Sequence, residues 1–295
     1  MNLNKIKGDI YYIDGAVNLG VIVRGREALL IDAALDDSVS RKVRRLFEEA
    51  GLTLKAIIIT HAHADHYGGA AYLAKATGAK VFSTVGEKSI IEVPILEPVY
   101  LFGGAYPPAA LRSKFFNAPP VSVEGIIRPG LCNLEGFSFE IVDLKGHSLE
   151  QIGVACDGIL FCADAVFGQE VVAKHGVPLN VDISATLDTF ERLRASKYEY
   201  YLPSHGELVR DIASVVDINQ NVVRTVIDKL AAVCETPQSM EDLIETTCSC
   251  TGFTIQNTGA YYLAHLTVQA YVGYLLDNNR LEACYESNRQ VFRKK

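Results

Sequence analysis

Short apolar and alternating runs open the chain. Asp9–Asp14 and Asn18–Arg24 predict two strands parted by Gly15, and Ala28–Ala33 (ALLIDA) predicts a buried strand ending at an acid, Asp32. From Ser38 to Ala50 the period changes to that of a helix. Val39, Val43, Leu46 and Phe47 share one stripe, Ser38 is the expected cap and Gly51 the stop. Lys55–Thr60 (KAIIIT) is a second buried strand. A helix is expected from His66 to Thr77, stopped by Gly78, and a third strand over Ala79–Ser83. Strand alternating with helix predicts layers of helix against sheet. Later strands are predicted at Phe137–Asp143, Ile152–Cys156, Ile159–Cys162 and Tyr198–Leu202, with a tight hairpin turn at Asp157-Gly158. Thr186–Ala195 is the helix between the last two strands.

Two regions break the pattern. Pro94–Pro120 holds six of the ten prolines together with Tyr100, Phe102, Tyr106, Phe115 and Phe116. Proline density argues against a regular element and aromatic density against a floppy linker, so a long ordered loop over a cleft is expected. After Val209 the chain reads as helix, helix, helix and hairpin. The segments are Asn219–Val233, Met240–Thr246 capped by Ser239, the apolar Thr258–Leu276, and Arg280–Tyr285 with Arg289–Arg293 about a turn at Ser287-Asn288. That order is winged-helix-like. The expected division is residues 1–214 as a larger layered domain and 215–295 as a small helical domain.

Composition narrows the class. Among 295 residues, 28 Lys and Arg face 35 Asp and Glu, a net charge of −7, and 49% are apolar. This is a globular composition, and its acidity disfavours a general polyanion binder. The first fifteen residues lack the layout of a secretion signal, and no apolar run is long enough for a membrane span. None of the seven cysteines forms a C-x-x-C pair, so reduced structural thiols in a cytoplasmic, non-membrane protein are expected. Cys248 and Cys250 form a C-x-C pair, too few donors for a metal site on their own.

The chemistry concentrates at Thr60-His61-Ala62-His63-Ala64-Asp65-His66, directly after KAIIIT. In an extended loop His61 and His63, two apart, point the same way. Neutral imidazoles and a carboxylate are donors that Zn²⁺ accepts. Gly68-Gly69 would let a backbone or a substrate approach closely. Three more candidates follow apolar strand ends: His147 in Lys145–Ser148, Asp164 in Phe161–Asp164 and His205 in Leu202–Gly206. Donors at neighbouring strand ends can meet at one edge of a sheet sandwich, which enlarges the expectation from one metal ion to two. His175, in the stretch Lys174–Gly176, reads as an exposed loop residue or a substrate contact. His265 reads as a core or interface side chain.

With H-A-H-A-D-H, Gly-His147, Asp164 in C-A-D, His205 in S-H-G and Asp32 on the page, the chain resembles the metallo-β-lactamase superfamily of αβ/βα hydrolases over residues 9–210. The resemblance implies an α+β fold, an αβ/βα sandwich of two mixed sheets flanked by helices. It also implies two divalent metal ions, zinc first, with manganese or iron left open. His61, His63 and His147 would hold one ion and Asp65, His66 and His205 the other, with Asp164 bridging. Asp65 is the catalytic candidate, orienting a metal-bridging hydroxide or carrying a proton, and Asp32 would fix a ligand imidazole. Zinc β-lactamases instead carry Cys at the Asp164 position and no His at position 66, so lactams are not expected substrates. The oxygen-reducing diiron branch carries Glu at the position of His63.

The expected activity is metal-dependent hydrolysis of a small ester, thioester or lactone. The alternatives are a phosphodiesterase or endoribonuclease, supported by the winged-helix-like tail, and a mononuclear iron sulfur dioxygenase. Residues 215–295 hold seven Lys and Arg against nine Asp and Glu, which disfavours nucleic acid as a partner. The apolar helix Ala260–Leu276 makes a lid or a homodimer contact the other use of the tail.

Overall fold

The computed structural model describes all 295 residues, Met1–Lys295. Seven strands form one sheet in chain order: β1 (Leu3–Lys7), β2 (Ile10–Ile13), β3 (Leu19–Arg24), β4 (Glu27–Ile31), β5 (Thr53–Ile58), β6 (Lys80–Ser83) and β7 (Gly125–Ile126). Pairing is antiparallel as far as β4 and parallel from there on. Five more, β8 (Gly130–Leu134), β9 (Phe137–Asp143), β10 (Ile152–Cys156), β11 (Ile159–Ala163) and β12 (Tyr200–Pro203), form the second sheet, antiparallel except for β11 with β12. Asp157 and Gly158 both take positive φ, 50° and 82°, which makes the β10–β11 turn as tight as expected.

Helices cover the outer faces. Against the first sheet lie α1 (Asp37–Glu49), α2 (Ala64–Tyr67) and α3 (Ala70–Thr77), followed by α4 (Val85–Glu92) and α5 (Leu96–Leu101). On the side of the second lie α7 (Ile183–Ala195), α8 (Ile212–Val233) and α10 (Thr258–Asp277), with α6 (Gln169–His175) packed on α8 and α9 (Met240–Thr251) on α8 and α10. A final hairpin joins β13 (Leu281–Glu286) to β14 (Arg289–Lys294). Three hydrophobic clusters account for the layers. Ile22, Leu29, Ile31 and Ile58 meet Phe139, Val154 and Phe161 between the sheets. Leu30, Ile57, Val43 and Leu73 join the first sheet to its helices. Leu160, Cys162, Leu193, Val226 and Tyr271 join the second sheet to α7, α8 and α10. The sheets approach closely at Gly20, where a Cβ would stand 2.7 Å from the Phe161 ring.

Several elements differ from their expected form. The cap of α1 is Asp36, whose side chain accepts from the N–H groups of Ser38 and Val39, so Ser38 lies inside the helix. The helix expected over residues 66–77 is two pieces broken at Gly68-Gly69. A Cβ at these glycines would fall 1.9 Å from the Leu35 carbonyl oxygen and 1.7 Å from Ser40 Oγ. The close approach anticipated there is therefore one of backbone, sealed by Ala33 N–H to His66 O at 2.6 Å and Gly69 N–H to Ala34 O at 3.0 Å. The 94–120 segment is partly regular, because Pro98 sits in the first turn of α5, where its missing N–H costs nothing. His175 ends helix α6 rather than lying in a loop.

The tail has three helices and a hairpin turned at Ser287 and Asn288, both at positive φ. Its core is continuous with the outer face of the second sheet. Helix α10 also meets the aromatic segment, with Tyr262 edge-on to Phe102 at 5.0 Å. No helix is long and apolar enough to cross a membrane.

Candidate metal centre

Every candidate donor leaves the end of a strand or the first turn after one. His61 follows β5, His63 is the cap residue of α2, and Asp65 and His66 lie within α2. His147 stands between β9 and β10, Asp164 directly after β11 and His205 two residues after β12. The structure brings all seven side chains together. His63 Nδ1 lies 2.8 Å from His147 Nε2. Asp164 Oδ2 is 3.5 Å from both His147 Nε2 and His205 Nε2, and its Oδ1 is 3.4 Å from His66 Nε2. Asp65 Oδ2 is 3.3 Å from His205 Nε2. Three sets have donor atoms mutually within 4.8 Å: His61, His63 and His147; His61, His66 and Asp164; and Asp65, His66 and His205.

Local backbone makes these positions expensive to rebuild. Gly146, before His147, has φ of 129°, and a Cβ there would stand 2.4 Å from Thr186 Oγ1. Asp32, Ala34 and Ala163, beside the donor loops, take positive φ without being glycine, a local strain the surrounding structure holds in place. Asn18 Nδ2–H donates to the carbonyls of Pro203 and Gly206 at 3.0 and 2.7 Å, fixing the loop that carries His205. Gln151 donates to Leu144 O at 2.9 Å while its Oε1 accepts from the Asp164 N–H at 3.3 Å.

Four of the five imidazoles have their outward nitrogen held. His66 Nδ1 pairs with Asp32 Oδ2 at 2.8 Å. The Thr60 hydroxyl donates to the same carboxylate at 2.9 Å and stands 3.1 Å from His61 Nδ1. His147 Nδ1–H donates to Leu179 O at 2.7 Å and His205 Nδ1–H to Ala16 O at 3.0 Å. A proton fixed on Nδ1 leaves the Nε2 lone pair free and aimed inward. Three of the inward atoms, His61 Nε2, His66 Nε2 and Asp164 Oδ1, are sealed from solvent without a hydrogen-bond partner. Buried polar atoms without partners are rare and costly, so the donor set fits a cation.

The charge pattern points the same way. Burial, reinforced by neighbouring imidazoles, pushes His61 well down and His63 to about 3, and burial lowers His147, so all three are neutral donors. Burial opposes the charge on Asp164, yet His205, His66 and His147 outweigh it and hold the carboxyl well below its usual range. Asp65 is likewise held at about 2 against burial by His66 and His205. Asp164 in turn leads the groups that raise His66 and His205 against burial. Positive charge is drawn to this point. Access is from the Asp65 side: that side chain is 39% exposed and His205 20%, while His61 and His66 are fully buried.

Three residues not singled out from the sequence complete the centre. Glu87 of α4 is buried, with Oε2 accepting from the Ala62 N–H at 2.8 Å and Oε1 from Ser148 Oγ at 2.6 Å and the Glu150 N–H at 3.1 Å. It clamps the His61–His63 loop to the His147 loop. Phe167 stacks on His205 and meets His147 edge-on, at 6.0 and 5.7 Å. Glu97 of α5 is buried beside Tyr67 and Tyr100, with its Oε2 lacking any partner. Nothing in local sequence separates such acids from those on an exposed helix face. Cys248 and Cys250 are far from this chemistry, being half-buried thiols with pKa values raised by burial. His265 is half-buried on α10, tilted against Tyr261 at 6.0 Å.

Two cavities flank the His63–His147 contact. One, of 270 Å³, is lined by His147, Phe167, His175, His205 and, from the tail, Phe253 and Leu263. The other, of 450 Å³, lies under α4 and α5 and is lined by His63, Glu87, Glu97, Tyr100 and Leu149.

The family model for the metallo-β-lactamase superfamily matches residues 12–205. A hydroxyacylglutathione hydrolase of Methylobacillus flagellatus is 28% identical over 134 residues, 45% of this chain and 42% of that protein. One of Albidiferax ferrireducens is 31% identical over 147 residues, 48% of this chain and 44% of that protein. The chain thus spans under half the length of these two relatives. A crystal structure of a β-lactamase domain protein of Burkholderia ambifaria superposes with a TM-score of 0.77 at 17% identity, covering 99% of this chain and 94% of that one, a likeness of fold.

Proposed function

The chain belongs to the metallo-β-lactamase superfamily, and from that premise we propose that it is a metal-dependent hydrolase of a small ester, thioester or lactone. The convergence of seven donors, four imidazoles having their far nitrogen held, carries the reading. His61, His63 and His147 would hold one divalent ion and Asp65, His66 and His205 a second, with the Asp164 carboxylate available to both sets. Zinc suits neutral imidazole and carboxylate donors; manganese and iron are the other candidates. A bound pair of such ions supplies Lewis acidity and brings the pKa of a water down to near neutrality.

The remaining work falls to the chain. Asp32 keeps the His66 proton on Nδ1, and the carbonyls of Leu179 and Ala16 do the same for His147 and His205. Asp65 is 39% exposed, and its Oδ2 would orient the attacking water from the open side. Phe167 and the apolar walls exclude bulk water, which strengthens every charge interaction inside. In this reading residues 1–214 carry the site and 215–295 roof the smaller cavity through α10. The seven free cysteines suit a reducing, cytoplasmic compartment. The relatives' names support a thioester, since an acyl-glutathione is one.

The test is turnover of a panel of thioesters, esters and lactones by zinc-loaded protein, before and after chelation. Hydrolysis of one class, abolished by chelator and restored by metal, is expected. Failure of fully loaded protein to cleave any of them would overturn the proposal.

A further inference from the structure

The cavities beside the centre say what the substrate looks like. His147 lines the smaller and His63 the larger, and these two rings are in contact at 2.8 Å, so a molecule held over the centre can reach into both. Neither cavity is lined by a single Lys or Arg. A third cavity, of 540 Å³, also borders His205; it too lacks Lys and Arg and carries Glu170 and Glu207. The larger flanking cavity has two carboxyl side chains, Glu87 and Glu97, besides His63 and Tyr100. Glu87 is fully engaged by its three hydrogen bonds. Glu97 is 4% exposed, and its Oε2 has no partner.

Resting on the hydrolase reading above, we propose that both arms of the substrate are uncharged, and that the arm in the larger cavity carries a hydroxyl or amide group which Glu97 hydrogen-bonds. Glutathione brings two carboxylates at the ends of its arm, away from the thioester, and a carboxylate buried there with no Lys or Arg beside it loses its hydration with nothing in return. The chain therefore discriminates against the glutathione thioesters named for its relatives. Burial pushes the Glu97 carboxyl well above its usual range, with Asp65 and Glu87 adding to the rise, so it offers both an O–H donor and a carbonyl acceptor. Hydroxyl and amide groups match that pair of functions.

The test compares matched thioesters on the zinc-loaded full chain. Hexanoyl, 6-hydroxyhexanoyl and adipoyl thioesters of N-acetylcysteamine vary the acyl arm, and hexanoyl-glutathione varies the thiol arm. The neutral thioesters are expected to exceed the adipoyl and glutathione compounds by roughly 100-fold in kcat/KM. The hydroxyl-bearing substrate should lose about tenfold relative to the hexanoyl one in Glu97→Leu, chiefly through KM, and keep most of its advantage in Glu97→Gln. Equal turnover of the anionic thioesters, or equal losses on both neutral substrates in Glu97→Leu, would overturn the inference. Should loaded protein hydrolyse none of them, the hydrolase reading fails. Calorimetry with S-hexyl-N-acetylcysteamine against S-hexylglutathione then decides the cavity claim separately, with tighter binding of the neutral thioether supporting it and equal or weaker binding refuting it.

Discussion

Replacing Glu87 with alanine removes a carboxylate that ties together the two loops bearing His61, His63 and His147. Its carboxylate accepts from the Ala62 and Glu150 N–H groups and from Ser148 Oγ, at 2.8, 3.1 and 2.6 Å, inside the protein. Each donor left buried without an acceptor costs about 1–3 kcal/mol, and relief of the carboxylate's own burial returns part, so a net loss of roughly 3–5 kcal/mol is expected. Glutamine separates shape from acceptor count. Its oxygen can serve Ala62 while the Ser148 hydroxyl turns to accept from the amide, leaving the Glu150 N–H unpaired at about 1–2 kcal/mol. Urea unfolding of metal-free protein reads these differences. Competition with a chromophoric chelator on zinc-loaded protein reads the second consequence, one of two zinc ions released more readily in Glu87→Ala. An unchanged unfolding midpoint together with unchanged zinc affinity would refute the clamp.

Asp32→Asn keeps the shape but loses the charge facing His66 Nδ1, and retention of metal at Asp65, His66 and His205 should weaken about 10–100-fold in the same competition. Gly146→Ala places a methyl 2.4 Å from Thr186 Oγ1 at a φ of 129°, so it should lower the melting temperature and loosen His147 even though no donor is changed. Glu97 makes stability pH-dependent. Burial raises its pKa in the fold, so between the ordinary glutamate value and the raised one the folded state binds more protons than the unfolded, and stability falls as pH rises, by at most about 1.4 kcal/mol per pH unit. Urea midpoints measured from pH 5 to 8 should fall less steeply in Glu97→Gln than in the wild type; parallel curves would contradict this.

The parts of the molecule legible in its sequence are those set by local pattern. KAIIIT, Phe137–Asp143 and Ile152–Cys156 are apolar runs bounded by polar residues, and they are strands at nearly the expected bounds. Donors at their ends stand out because a polar cluster after a buried strand has few other uses. What stayed hidden depends on tertiary packing. β8 is largely exposed and turns only Cys132 and Leu134 toward the core, while α4 and α5 lie in or beside a proline-rich stretch that reads as a loop. Asp36 and Ser38 are both good caps by residue type, and only the backbone at Asp36, extended at φ −159°, separates them. Glu87 and Glu97 are written like any surface glutamate, and their burial follows from how α4 and α5 fold over the His63 side of the centre.

Metal content per chain, measured alongside thioester turnover for the wild type and Asp164→Ala, tests the central claim most directly. Two divalent ions per wild-type chain are expected, with one lost or weakly held in the variant and activity lower by orders of magnitude. A variant that keeps both ions and full turnover, or a wild type that is active with none bound, would contradict the account.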